Sequence, residues 1–398
     1  MSYEEWVLRQ TSRRRFLQRA GLLTATVGAA PAFLAACGDD DDEPAGDSGD
    51  GGGAAGVPKA SGRVDYLSWE AYDLPGPLKA WKRKNGVEVK ATYIGNHNDI
   101  QAKLKASGGG GFDIITYYQG YKPLYAQLGI LESLDEDKIP KVSGLFPFFG
   151  GDEGGFWVDD DGTRTGVPFT WGSFGITYDS EATPELPSWY DLLDPKLKGK
   201  VGMVDDFVGN WTLGSRINGL RVDELDDAGY QKVRDLLLDL ARQTRGVSAS
   251  YGDLTTQLVN GDVVAAWTGW AAVNQFAVDA GKDTIKTNLP KEGSASFCDA
   301  YAMPPDSDNK DTVYSWINEA LDPVVNARAA EFLVGGVTVK DAVPELNKAT
   351  AALYPYDKLD ELLEQAPLFN NPPVESDQYK TFEELQRAWE EIKSEAQA

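Results

Sequence analysis

Residues 62–93 read GRVDYLSWEAYDLPGPLKAWKRKNGVEVKATY, and the order of short runs within them decides the fold class. Val64–Ser68 is a β-type run, Leu78–Lys84 a helical one and Val87–Tyr93 a second β-type run. The alternation continues outward. Asp99–Lys105 reads as a helix with Asn98 as its N-cap, Phe112–Thr116 as a third strand and Pro123–Leu128 as helical. Strands that alternate with helices argue for an α/β architecture with a largely parallel sheet. After a Gly- and Asp-rich stretch, 150–166, the pattern resumes with strands predicted at Ser173–Tyr178 and Val201–Val204. Tyr230–Ala241 is a helix with Val233, Leu236, Leu237 and Leu240 on one face. Leu254–Val259, Val263–Trp267 and Ala271–Ala280 form a second βα-like set. Thr381-Phe382-Glu383-Glu384 is a capping box that opens a last helix with Leu385, Trp389 and Ile392 as its buried stripe.

A chain of 398 residues that is 42% apolar and 25% charged can bury a large core, and its length suggests two domains. The 62 acidic residues outweigh 38 basic ones, and a net charge of −24 repels phosphate backbones, so nucleic acid is a poor candidate partner and none is expected. His97 is the single histidine, which removes multi-histidine metal sites and makes any Ser-His-Asp triad depend on it. The Gly-rich loop of nucleotide hydrolases is absent, and two distant cysteines cannot make a disulfide framework. No cofactor is expected.

The N-terminus reads as an export signal. Ser12-Arg13-Arg14-Arg15-Phe16-Leu17 resembles the twin-arginine signature, and an apolar run from Ala20 to Ala36 follows, short for a spanning helix and carrying Pro31. The run ends in Leu34-Ala35-Ala36-Cys37, which resembles the bacterial lipobox and implies a lipid on Cys37. Residues 1–36 are then a signal peptide, and 37–61 a lipidated, acidic, Gly-rich tether that cannot bury apolar surface. The body is expected at the outer face of the cytoplasmic membrane, anchored through Cys37, with Cys298 as a lone buried thiol.

Aromatic residues gather where strands should end: Trp69 and Tyr72, then Tyr117, Tyr118 and Tyr121, then Trp171, then Trp267 and Trp270. In open α/β sheets ligands bind beyond the carboxyl ends of strands. Glu70, Asp205, Asp206 and Asp299 occupy the same kind of place, although a lone Asp there is more often a cap or turn former. Aromatic faces attract ammonium groups, and carboxylates pair with the same cations. The same inventory also suits sugars.

Tyr66-Leu67-Ser68-Trp69-Glu70-Ala71-Tyr72 resembles the opening of polyamine-binding proteins, the extracytoplasmic receptors of spermidine/putrescine ABC importers. The family's order continues through Phe112-Asp113-Ile114-Ile115, Pro168-Phe169-Thr170-Trp171-Gly172 and Ser188-Trp189-Tyr190-Asp191-Leu192-Leu193. Lys198-Gly199-Lys200-Val201 leads to Asp205-Asp206, Gly261-Asp262 to Trp267-Thr268-Gly269, and Pro290-Lys291-Glu292-Gly293 to Asp299. These landmarks span about residues 62–340. The resemblance implies a two-lobe periplasmic-binding-protein fold of type II with a hinge, lobe 1 from 62–170 plus 298–340 and lobe 2 from 171–297 plus 341–398. It implies that Trp69 and Tyr72 line the pocket, that Trp267 supplies an aromatic wall, that Phe297 stands for a common tryptophan, and that Asp206 and Asp299 hold amino groups. Two departures change the carboxylate set: Gly209 stands where spermidine binders carry glutamate, and Glu70 where the family has a hydroxyl residue.

The expectation is a monomeric, non-catalytic receptor for a polyamine-like cation, partnered by permease and ATPase subunits. Its ligand-binding residues are Trp69, Glu70, Tyr72, Tyr118, Trp171, Asp206, Trp267, Phe297 and Asp299. The alternatives are a sugar receptor of similar fold and a secreted glycoside hydrolase pairing Asp206 with Asp299 or Glu70.

Overall fold

The computed structural model describes residues 56–94, 100, 102–104, 110–150 and 156–397. The twin-arginine-like segment, Leu34–Cys37, the acidic run of the tether, Asn98 and His97 lie outside the described residues. In chain order the strands are β1 (Arg63–Trp69), β2 (Glu88–Ile94), β3 (Ile114–Tyr118), β4 (Val167–Ser173), β5 (Gly175–Asp179), β6 (Val201–Gly202), β7 (Ala265–Gly269), β8 (Ile285–Asn288) and β9 (Ser296–Ala302). The helices that carry the argument are α1 (Lys79–Asn85), α2 (Lys122–Gln127), α3 (Phe207–Ile217), α4 (Asp227–Gln243), α5 (Tyr251–Asn260), α6 (Ala271–Asp279), α7 (Lys310–Ala320), α8 (Pro323–Leu333) and α9 (Phe382–Ala396).

The strands form two sheets, ordered β2-β1-β3-β9-β4 and β6-β7-β5-β8. Each belongs to one lobe of an α/β fold. The expectation of a largely parallel sheet is corrected. β2, β1 and β3 are parallel, as are β6 and β7, but β9 runs antiparallel to both β3 and β4, and β5 antiparallel to β7 and β8. The reason is topological: β9 returns from the second sheet and inserts between β3 and β4. β4 begins before the strand expected at Ser173–Tyr178 and contains Pro168. It is an edge strand with a register shift between Pro168 and Thr170, which is where a sheet tolerates proline.

The amphipathic helices pack as their stripes require. Val233, Leu236, Leu237 and Leu240 of α4 are buried, and α9 lays Leu385, Trp389 and Ile392 against α4 and α3. The capping box forms: Thr381 N–H donates to Glu384 Oε2 at 2.8 Å, and Glu384 N–H donates to Thr381 Oγ1 at 3.4 Å. The body begins slightly before the expected end of the tether. Ala60 is buried, and Ser61 exchanges hydrogen bonds with Thr312 of α7 at 3.0 and 2.8 Å.

Three chain segments lie side by side where the two sheets meet. Phe174, just after β4, donates from its backbone to Ala295 O at 3.0 Å, and Ser294 Oγ donates to Phe174 O at 2.8 Å. Ser294 and Ser296 in turn donate from their backbones to Gln365 and Pro367 at 2.9 Å each. Gln119 ties this junction to the first sheet, donating to Ser296 O and Phe369 O and accepting from Cys298 N–H at 2.8 Å. β4 extends to Ser173 and β9 begins at Ser296, so the divisions expected at 170/171 and 297/298 fall inside strands. Among the described residues no helix is long and apolar enough to cross a membrane.

Candidate functional site

Sheet register decides which side chains share a face. Asp299 lies opposite Tyr118 in β3 and opposite Thr170 in β4, and Phe297 lies opposite Gly172. Directly opposed residues point the same way, and alternate residues along β9 do too, so Phe297, Asp299, Tyr301 and Tyr118 occupy one face. Trp171 pairs with Cys298 and therefore points to the other face. Its indole N–H donates to Val337 O at 2.9 Å, and its ring packs on Phe149 and Tyr354. Trp171, expected to line the ligand, is a core residue of the first lobe.

Asp299 is 4% exposed. Tyr72 donates its hydroxyl to Asp299 Oδ2 at 2.8 Å, and Tyr301 donates to the Tyr72 carbonyl at 3.0 Å. Tyr72 lies in the turn after β1, where Ala71 and Leu74 hold positive φ of 77° and 46°, a strained path for residues with a Cβ. Burial pushes the Asp299 carboxyl up to about 7, against the opposing pull of the Tyr72 hydrogen bond. Burial also raises Tyr72 and Tyr118, so both phenols stay protonated as donors. Tyr118 donates to Asn371 Oδ1 at 2.9 Å. Asn371 was not anticipated. It is 253 positions away in sequence, within Asn370-Asn371-Pro372-Pro373, which reads only as a turn.

The second lobe contributes Asp206, which follows β6 and caps α3, its side chain accepting from Gly209 N–H at 3.1 Å. Burial raises the Asp206 carboxyl, the Gly209 amide opposes that shift, and the neighbouring Asp205 adds to it. The Asp206 charge acts on Tyr118 and Tyr121 of the first lobe and on Tyr251 of α5. Asp205 is committed elsewhere, to Trp389 Nε1 at 2.6 Å and Lys393 Nζ at 2.9 Å. A Cβ on Gly209 would run into the Asp206 carboxylate, so the cap itself occupies the space beside that glycine.

Trp267 is fully buried, donates to Asn210 Oδ1 at 2.9 Å and meets Trp189 edge-on at 4.8 Å. The expected aromatic wall is thus turned into the second lobe's interior. The aromatic that meets the Asp299 face is Trp270, just past β7, whose ring lies 5.1 Å edge-on from Phe297, while Phe174 lies 5.5 Å from Phe297. Gly172 permits this. A Cβ there would lie 2.7 Å from Phe297 Cζ and 3.0 Å from Trp270 Cε3. Trp270 was legible as a strand-end aromatic, but nothing local ranked it above Trp267. Trp69 ends β1 half-buried against the main core. Glu70 is solvent-exposed, unlike the half-buried Asp206 and the buried Asp299. Cys298 is buried and unpaired among the described residues. No group of His, Cys, Asp and Glu among them could hold a metal ion.

The arrangement offers one buried and one half-buried carboxylate, with several aromatic faces at the ends of β1, β3, β6 and β7 and the start of β9. Carboxylates and aromatic faces together are an inventory that suits an organic cation. Several known proteins are similar to this chain. The putrescine-binding periplasmic protein SpuD of Pseudomonas aeruginosa is 23% identical over 364 residues, covering 86% of this chain and 95% of the relative. PotF of Escherichia coli, also a putrescine-binding periplasmic protein, is 26% identical over 360 residues, covering 83% and 91%. Among solved structures, a putative spermidine/putrescine ABC transporter protein from Listeria monocytogenes superposes with a TM-score of 0.70 at 22% identity, over 84% of this chain and 98% of that one. The TpPotD lipoprotein of Treponema pallidum superposes with a TM-score of 0.70 at 18% identity, over 84% and 100%, and these likenesses establish the two-lobe fold. Residues 78–355 match a single family across both lobes, and the chain belongs to the bacterial extracellular solute-binding proteins.

Proposed function

We propose that this receptor serves an ABC importer and that its solute is a polyamine-like organic cation. The observation that carries this reading is Asp299: a carboxylate 4% exposed whose hydrogen bond comes from a neutral tyrosine and whose carboxyl is pushed up by burial. A buried carboxylate of this kind is costly until a cation reaches it. A primary ammonium group supplies both the charge and the N–H donors. Asp206 at the head of α3 takes a second ammonium group from the other lobe. Tyr72, Tyr118, Phe297 and Trp270 line the methylene chain, with cation–π attraction of about 0.5–2 kcal/mol per contact. Contacts from both lobes to one solute favour the closed arrangement over the open one, the hinge being the junction at Phe174, Ser294–Ser296 and Gln365–Pro367. The implied partners are a permease and an ATPase subunit, and the lipid on Cys37 holds the receptor beside them.

A thermal-shift panel of putrescine, spermidine, spermine, betaine and maltose tests the reading. At 100 times Kd a ligand adds about 2.7 kcal/mol to stability, enough to raise the melting temperature by several degrees. Polyamines should produce that rise and maltose should not. A rise with maltose alone would make this a sugar receptor.

A further inference from the structure

Among the described residues, the groups that face Asp299 cannot neutralise it. The titratable groups that face it are Tyr72 from the β1 turn, Tyr118 across the ladder in β3, and Tyr301 and Cys298 on its own strand. β4 brings Thr170, which does not titrate. Beyond Tyr118 stands Asp206, and beyond Tyr301 stands Asp73. None of these is cationic. The tyrosines and the thiol are raised further by burial and stay neutral, and the two aspartates could add only like charge. A carboxyl in such a place keeps its proton until a positive charge arrives.

We propose that the unliganded receptor carries a proton on Asp299 near neutral pH and that the incoming ammonium group expels it to solvent, so solute capture releases a proton and affinity weakens as pH falls. The inference rests on the cation reading above and adds a linkage to it. The Asp299 carboxyl, held up at about 7 by burial, places the transition within the range that an extracytoplasmic compartment meets. The balance is simple. The Asp299 O–H gives its proton to buffer, the carboxylate remains, and an ammonium N–H, protonated throughout because alkylamines titrate near 10, donates to it. Tyr72 sets the midpoint. Its hydroxyl favours the ionised form, and without it the carboxyl would hold its proton to still higher pH.

Calorimetry of the full-length chain with putrescine at pH 5.5, 6.5, 7.5 and 8.5, in buffers of different protonation heat, reads the proton count directly. The expected count is about one proton released per putrescine at the acid end, falling toward zero at pH 8.5. Kd should rise by up to about tenfold per pH unit below the midpoint and level off above it. Tyr72→Phe should move the midpoint to higher pH, a shift that a merely structural role for Tyr72 does not produce. Putrescine binding with no proton release at any pH, or with an unchanged count in Asp299→Asn, would overturn the linkage and leave the cation reading intact. Absence of binding by putrescine, spermidine and spermine would overturn both.

Discussion

At the scale of single residues, the proposed function makes Asp299 the source of both ligand affinity and a pH dependence of stability. Losing one member of a desolvated charge pair costs about 2–5 kcal/mol, so Asp299→Asn should weaken polyamine binding roughly thirtyfold or more. The unliganded protein should respond in the opposite direction. The native carboxyl is raised to about 7, so between pH 4 and 7 the native state keeps a proton that the unfolded state has released. Stability contributed at this position therefore falls as pH rises through that window, by up to about 1.4 kcal/mol per unit. Urea denaturation across pH 4–8 should show the wild type losing stability relative to Asp299→Asn, and parallel profiles would show that this carboxyl titrates normally. The two tryptophans at the end of β7 separate in the same way. Trp267→Ala empties a fully buried position and removes the donor to Asn210, and should cost about 3–5 kcal/mol of unliganded stability. Trp270→Ala should leave stability nearly unchanged and weaken ligand binding by about 1 kcal/mol. Melting curves and titrations of both variants check the assignment, and the reverse pattern would return Trp267 to the ligand wall.

At the scale of elements, α3 shows how one residue can serve both the fold and the site. Asp206 is the N-cap of the helix and also the charge that the helix N-terminus presents to the first lobe. Asn caps helices about as well as Asp, whereas Ala does not and costs about 1 kcal/mol. Asp206→Asn should keep the unliganded melting temperature and lose affinity, while Asp206→Ala should lose both. If Asp206→Asn binds putrescine like the wild type, Asp206 is a cap and nothing more. The sheet insertion of β9 matters equally. By running antiparallel between β3 and β4, it lays Phe297 beside Gly172 and Asp299 beside Tyr118, at the end of β3.

At the scale of the whole molecule, the chain is a pair of α/β lobes with a junction between them and a candidate lipid attachment ahead of them. Cys37→Ala should release the protein from membranes or block its maturation, as judged by fractionation and mobility. A variant that still sediments with membranes like the wild type would remove the lipid anchor from the proposal. The whole chain carries a net charge of −24, and among the described residues the large exposed apolar side chains are Tyr93, Tyr190, Val278 and Val324.

The sequence by itself determined what local periodicity and capping chemistry control. The β-type run at Val64–Ser68, the stripe of Val233, Leu236, Leu237 and Leu240, and the box at Thr381 and Glu384 each became the expected element, because backbone propensity and burial of one face act within a few residues. The ordered landmarks that end at Asp299 also carried the family and the two-lobe fold. Tertiary structure alone decided which of those residues share a surface. Tyr118 meets Asn371 across 253 positions, and Tyr72 meets Asp299 across 227. Trp171 is turned away because it pairs with Cys298 instead of Asp299, and Trp267 because Asn210 and Trp189 close over it. A strand carries alternating faces whatever its neighbours. Which face receives a ligand depends on the strand inserted beside it, and here that strand returns from the other lobe.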